Sequence, residues 1–247
     1  MRIAIIAALP GELKPLVKEW RRLPSPGRHI LMWTRTDGNG DAAIAVCAGM
    51  GAEAARRAFA AAEAHGPLDV VLSVGVAGAL VPKGLPGASR VGDCRVLTEV
   101  IDAQTGERFP LTGFPLAAST LAGGEKVLSI ATTARVADAA EKRRLFETYG
   151  AVMVDMEAAT VARLAAMRAI PMGCIKAVSD DAEARLPDLN RFIDATGQLR
   201  FPSFLLHVAV RPQTWGQLMA LGSGSARASK ALAGVVEEFL RAKTSNS

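Results

Sequence analysis

Three carboxylates in this 247-residue sequence stand where chemistry is usually built on an α/β scaffold. Glu12 follows the apolar run Arg2 to Ala7, Glu157 follows the short run Val152 to Val154, and Asp180 follows Met172 to Val178. Such runs read as strands of a parallel sheet, whose carboxyl ends carry the loops that form a crevice above a rigid scaffold. Acids converging there can move protons and grip hydroxyl groups. Each acid also has a plain structural explanation. Glu12 and Glu157 open helices, where the helix dipole favours a carboxylate, and Ser179-Asp180-Asp181 has the composition of a turn. Lys176 interrupts the apolar stretch Gly173 to Val178, a strand buried on both faces, so its charge needs a partner. Either it forms a structural ion pair with a nearby acid, or it holds Asp180 or a bound anion in place.

The elements that must position these groups follow from the hydrophobic pattern. Short runs rich in β-branched residues alternate with longer helical patterns, as in strands that cross over through helices into a parallel sheet. Strands are expected at Arg2 to Ala7, Ala42 to Cys47, Asp69 to Val76, Val91 to Leu97, Val127 to Thr132, Val152 to Val154 and Met172 to Val178. Helices are expected from Pro10 to Trp20, Ala52 to Ala64, Ala137 to Thr148 and Glu157 to Arg168. Two more, Phe204 to Leu221 and Ser225 to Ala242, are separated by Ser223-Gly224-Ser225. Leu80 to Arg90, Glu99 to Gly124 and Arg185 to Pro202 read as loops, the second with short strands. The expectation is one three-layer α/β/α domain over residues 1–247, with a central, mostly parallel mixed sheet and the helices of 204–242 packed on it.

Composition narrows the function classes. Apolar residues make up 50% and charged ones 21%, enough for one large core. The net charge is +5, but basic and acidic residues are interleaved and aromatics reach only 5%, so a nucleic-acid platform is not expected. Cys47, Cys94 and Cys174 share no metal-ligand spacing and read as buried free thiols, with no metal site. The apolar start is too short for a secretory signal, and a cytoplasmic location is expected.

At this level the chain resembles the nucleoside phosphorylase superfamily, especially its methylthioadenosine and adenosylhomocysteine nucleosidases. The likeness rests on Ile5 to Glu12, Gly49-Met50-Gly51, Gly75-Val76-Ala77-Gly78, Val91-Gly92-Asp93, Val154-Asp155-Met156-Glu157 and Ala177-Val178-Ser179-Asp180. A narrower likeness, to bacterial hopanoid-associated phosphorylases, adds Leu186-Pro187, Gly197-Gln198-Leu199 and Arg211-Pro212. The resemblance implies cleavage of the bond between a ribose-type sugar and a purine base. Asp180 would protonate or hydrogen-bond purine N7, positioned by Ser179 and Lys176. Glu157 would grip the ribose hydroxyls, Met156 would pack on the sugar, and Glu12 would orient and deprotonate water. Val76, Ala77, Gly78, Thr132 and Thr133 would border the substrate.

Departures from the family bear on the nucleophile. Hexameric phosphorylases carry an arginine and a serine where this chain has Ser73 and Val76, and a phosphate-binding arginine in the loop that here reads Pro10-Gly11-Glu12. Without guanidinium groups a phosphate has few partners, which points to water. Val76 also replaces a serine of the nucleosidases, and Lys176 their usual arginine. No cofactor is expected, with phosphate as co-substrate if the reaction is phosphorolytic. The resemblance implies a homodimer or a larger homo-oligomer, with a dimer expected. Two alternatives stand beside a nucleosidase. One is release of adenine from an adenosyl lipid, with Phe201, Phe204, Leu205, Leu206 and Trp215 as an apolar approach touching a membrane surface; the other is a nucleoside-binding protein without turnover.

Overall fold

The computed structural model describes residues 1–36, 42–111, 127–184, 190–192, 194, 196–198 and 215–244. Among these, eleven strands form one mixed sheet. They are β1 (Arg2–Ala7), β2 (Arg21–Leu23), β3 (Leu31–Thr36), β4 (Ala42–Cys47), β5 (Val70–Ala79), β6 (Cys94–Leu97), β7 (Glu99–Asp102), β8 (Arg108–Pro110), β9 (Ser129–Thr132), β10 (Met153–Asp155) and β11 (Met172–Asp180). The helices are α1 (Pro10–Leu13), α2 (Ala52–Glu63), α3 (Ala139–Tyr149), α4 (Ala158–Ala166) and α5 (Trp215–Thr244).

Parallel pairing makes the middle of the sheet: β4, β1, β5 and β11 lie side by side, and β10, β9 and β7 form a second parallel block. The far end of β5 joins the two, because Gly78 and Ala79 pair antiparallel with Val154 and Met153. Antiparallel strands β2, β3, β6 and β8 complete the margins. Side chains of β1 alternate between two cores, as the period of a strand requires. Ala4 and Ile6 face a layer containing Ala58 and Phe59 of α2 and Val161 of α4. Ile3, Ile5 and Ala7 face Leu13, Leu16, Trp20 and, from α5, Val236, Phe239 and Leu240. Helices on both faces give the expected three layers, and explain why β1, β4 and β5 are apolar apart from Arg2 at one end and the buried Ser73.

Several boundaries differ from expectation for identifiable reasons. The first helix stops at Leu13 instead of running to Trp20, because Pro15 lacks an N–H and its ring clashes with the preceding turn. The strand expected to end at Val76 continues to Ala79, since β10 supplies partners for its small residues. Likewise β11 runs through Ser179 and Asp180, which are strand and not turn. The hairpin of β2 and β3 went unpredicted; it sits at the sheet edge, where only Met32 of its nine residues is buried. Cys94 is partly exposed, unlike Cys47 and Cys174. The expected helix from Phe204 starts outside the described residues, as do Phe201, Leu205 and Leu206. No described helix is long and apolar enough to cross a membrane.

The expected break at Ser223-Gly224-Ser225 does not occur, and α5 passes through it without interruption. Gly224 serves close packing instead. A β-carbon there would lie 2.6 Å from the carbonyl oxygen of Ser179 and 3.0 Å from Val91, whereas one at Gly222 would meet open space. Helix propensity favours alanine over glycine by about 1 kcal/mol. Gly222→Ala should therefore stabilise the protein by up to about 1 kcal/mol, while Gly224→Ala should destabilise it by about 1–3 kcal/mol through overpacking. Urea denaturation of the two variants checks the contrast.

Candidate active site

The ends of β1, β5, β10 and β11 and the start of α3 surround a cavity of about 190 Å³. Glu12, Glu157 and Asp180 all line it, although they come from distant parts of the chain. Val76, Ala77, Gly78, Thr133, Met156 and Ser179 share the wall.

Glu12 folds back from α1 onto the backbone. Its Oε2 accepts N–H bonds from Ala8 at 3.0 Å and Leu9 at 2.8 Å, and its Oε1 accepts one from Val76 at 2.9 Å. The carboxylate thus ties the end of β1 to the middle of β5. Gly75 makes this approach possible: its φ is +148°, and a β-carbon would stand 2.9 Å from Oε1. Burial raises the pKa of Glu12 above the ordinary carboxyl range, overcoming the opposing pull of these N–H groups and of Lys176.

Glu157 occupies the residue before α4, and its Oε1 takes the N–H of Gly51 at 2.6 Å. Gly51 in turn is the residue before α2, so Gly49-Met50-Gly51 delivers a donor to the acid. Burial first, and the neighbouring Asp155 second, push the Glu157 carboxyl up to about 7. Lys176 opposes them without cancelling them.

Asp180 is aimed by an irregularity in β11. The register against β5 slips between Val178 and Asp180, leaving Ser179 as an extra residue. The Ser179 hydroxyl lies 2.6 Å from Asp180 Oδ1 and 3.2 Å from the carbonyl of Ala77. On the other oxygen, Oδ2, sits the ammonium of Lys142, which also donates to the carbonyl of Asp181 at 2.6 Å. Lys142 projects from α3 with a side chain only 1% exposed.

Lys176 does not hold Asp180 and does not line the cavity. Its ammonium lies 2.8 Å from Asp155 Oδ2, with both side chains buried. Asp155 has further donors: the Thr132 hydroxyl at 2.7 Å and the Ala158 N–H at 3.0 Å. Thr132 itself accepts the Ala159 N–H at 3.0 Å. This network fixes the start of α4, hence Glu157, with Asp155 in the cavity wall and Lys176 and Thr132 behind it. Thr132 is accordingly a support and not a lining residue, while Thr133 lines the cavity and donates its N–H to the Asp155 carbonyl. Burial disfavours the Lys176 charge, but Asp155, Cys174 and Glu157 outweigh it and raise its pKa.

Sequence reasoning missed Lys142, Asp155 and Arg135. Lys142 lies in Glu141-Lys142-Arg143-Arg144, a run with the look of a solvated helix face. Its one signal is the three-residue spacing to Leu145, the other buried position of α3. Asp155 lies within Val154-Asp155-Met156-Glu157, where no local pattern marks it as the partner of a buried lysine. Arg135 joins the cavity wall from the segment before α3.

A family profile described as the phosphorylase superfamily matches residues 2–206. No curated protein matches the chain in sequence. Among solved structures, the 5'-methylthioadenosine/S-adenosylhomocysteine nucleosidase of Helicobacter pylori is similar over 98% of both chains, with a TM-score of 0.71 and 17% identity. Futalosine hydrolase of the same organism gives a TM-score of 0.70 and 16% identity, over 98% of this chain and 97% of the other. The corresponding nucleosidase of S. pneumoniae, solved with a transition-state inhibitor, gives 0.70 and 21% identity over 97% and 98%.

The electrostatics give two measurable outcomes. With its carboxyl raised from 4.5 to about 7, folded Glu157 binds more protons than the unfolded chain between those values. Its contribution to stability is therefore largest below about 4.5 and is lost as the pH rises through about 7. The stability of the wild type minus that of Glu157→Gln, from denaturation at several pH values, should fall across this window. Lys176→Met leaves Asp155 buried without its cation, and should cost about 3–5 kcal/mol in the same measurement.

Proposed function

Since the chain belongs to the phosphorylase superfamily, we propose that it is an enzyme cleaving the N-glycosidic bond of a purine nucleoside, with water as nucleophile and free base as product. The observation that carries this reading is the meeting of Glu12, Glu157 and Asp180 on one cavity. Similar structures are named as a nucleosidase of methylthioadenosine and adenosylhomocysteine and as futalosine hydrolase, which supports a nucleoside-like substrate.

Glycosidic cleavage develops positive charge on the sugar and negative charge on the departing base, so both sides need help. Asp180 serves the base side, hydrogen-bonding or protonating a ring nitrogen. Glu157, when ionised, accepts from ribose hydroxyls, and Met156 packs against the sugar. Glu12 serves the opposite face of the sugar. Burial raises its pKa and so makes it a stronger base toward water, and its three backbone donors hold it in place.

The charges around Glu12 favour water over phosphate. Among the described residues, the cations on the cavity wall are Lys142 and Arg135, both from the segment after β9, and Lys142 is bound to Asp180. Lys176, which acts electrostatically on Glu12, is engaged by Asp155. A phosphate dianion beside Glu12 would thus meet a buried carboxyl, with Arg135 the one guanidinium among the described lining residues to set against both charges.

Incubation with adenosine-type nucleosides, with and without phosphate, should release free base at the same rate in both. Release only with phosphate would replace water as the nucleophile, and no release in either would overturn the enzymatic reading. Glu12→Gln and Asp180→Asn should each lower kcat by roughly 10²–10⁴-fold, with smaller changes in KM.

A further inference from the structure

Asp180 is satisfied on both oxygens by the protein itself, by the Ser179 hydroxyl on Oδ1 and by Lys142 on Oδ2. A carboxylate held this way accepts protons in hydrogen bonds but has none of its own to give a leaving group. Its partner does. The Lys142 ammonium carries three protons, of which two go to Asp180 and to the Asp181 carbonyl. Lys142 also lines the cavity, unlike Lys176, the other buried lysine among the described residues. The fold keeps space for the pair: a β-carbon on Gly78 would lie 3.0 Å from Lys142 Cε and 3.2 Å from Asp180 Oδ2.

We propose that Lys142 and Asp180 form one proton-delivery unit, in which Lys142 supplies the proton that Asp180 passes to the departing purine. This rests on the glycosidic-cleavage reading above. As the bond between C1' and the base nitrogen breaks, its electron pair stays with the base. A proton moves from Lys142 Nζ to the Asp180 carboxyl and from that carboxyl to a ring nitrogen, leaving a neutral amine and a neutral base. On the other face the water oxygen bonds to C1', and its proton goes to Glu12. After product release a proton returns to Lys142 and one leaves Glu12, through solvent, which restores the starting charges. Lys142 acts through Asp180, so its role is to position and recharge the acid.

The test compares two leaving groups, the adenine of adenosine and the nitrophenolate of para-nitrophenyl riboside, which departs without protonation. Lys142→Met should lower kcat on adenosine by roughly 10²–10⁴-fold and on the aryl riboside by less than about tenfold. Lys142→Arg keeps a cation beside Asp180 but one that does not release a proton in proteins. It should show the same contrast, and it carries the test if the methionine variant fails to fold. Equal losses on both substrates in a folded variant would make Lys142 a structural residue and overturn the proposal. Wild-type turnover of adenosine by Lys142→Arg would overturn it as well, since charge alone would then suffice. If the wild-type protein cleaves the aryl riboside but no purine nucleoside, the purine reading fails first; if it cleaves neither, the glycosidic reading itself fails.

Discussion

Too many carboxylates for the available cations meet at the centre of this protein. Glu12, Asp155, Glu157 and Asp180 gather around one cavity and the wall behind it, against two buried ammonium groups, those of Lys142 and Lys176. The pairs form where geometry is best, Lys176 with Asp155 and Lys142 with Asp180. Glu12 and Glu157 are left with backbone donors, and both are pushed toward the protonated form. The sheet, the glycine-rich strand ends and the placement of α3 are the means of holding this charge set around one cavity.

Backbone amides do much of that holding. Val76 at the middle of β5 and Gly51 before α2 each present an N–H to an acid carried by a different element. A carboxylate fixed through peptide groups of the sheet cannot drift to satisfy a neighbouring cation. The acids therefore keep different characters within one small cavity: one unpaired at the end of β1, one beside α2, and one compensated by a lysine at the bulge of β11. Reactions that need a base on one face of a sugar and an acid on the other require that separation.

The supports differ in kind from the groups they support. Asp155 in the wall, with Thr132 and Lys176 behind it, forms a network that sets the start of α4. In the sequence Lys176 carried two readings, and the structure realises the ion pair with a nearby acid. The cation on Asp180 comes instead from α3, whose charged surface gave no hint of an inward lysine beyond its spacing to Leu145.

The amino-acid order alone determined the alternation of strands and helices, the two-sided burial of β11, and the strand-end positions of Glu12, Glu157 and Asp180. These follow from periodicity and local chain chemistry, which act over a few residues; Pro15 is a signal of the same local kind, which the expected helix to Trp20 passed over. The pairing of β10 with β5, the continuous passage of α5 through Gly224 and the choice of Lys142 over Lys176 as the partner of Asp180 were decided by tertiary structure. Each depends on which surfaces meet after packing, and a charge buried by folding takes the nearest counter-charge in space, whatever its distance along the chain.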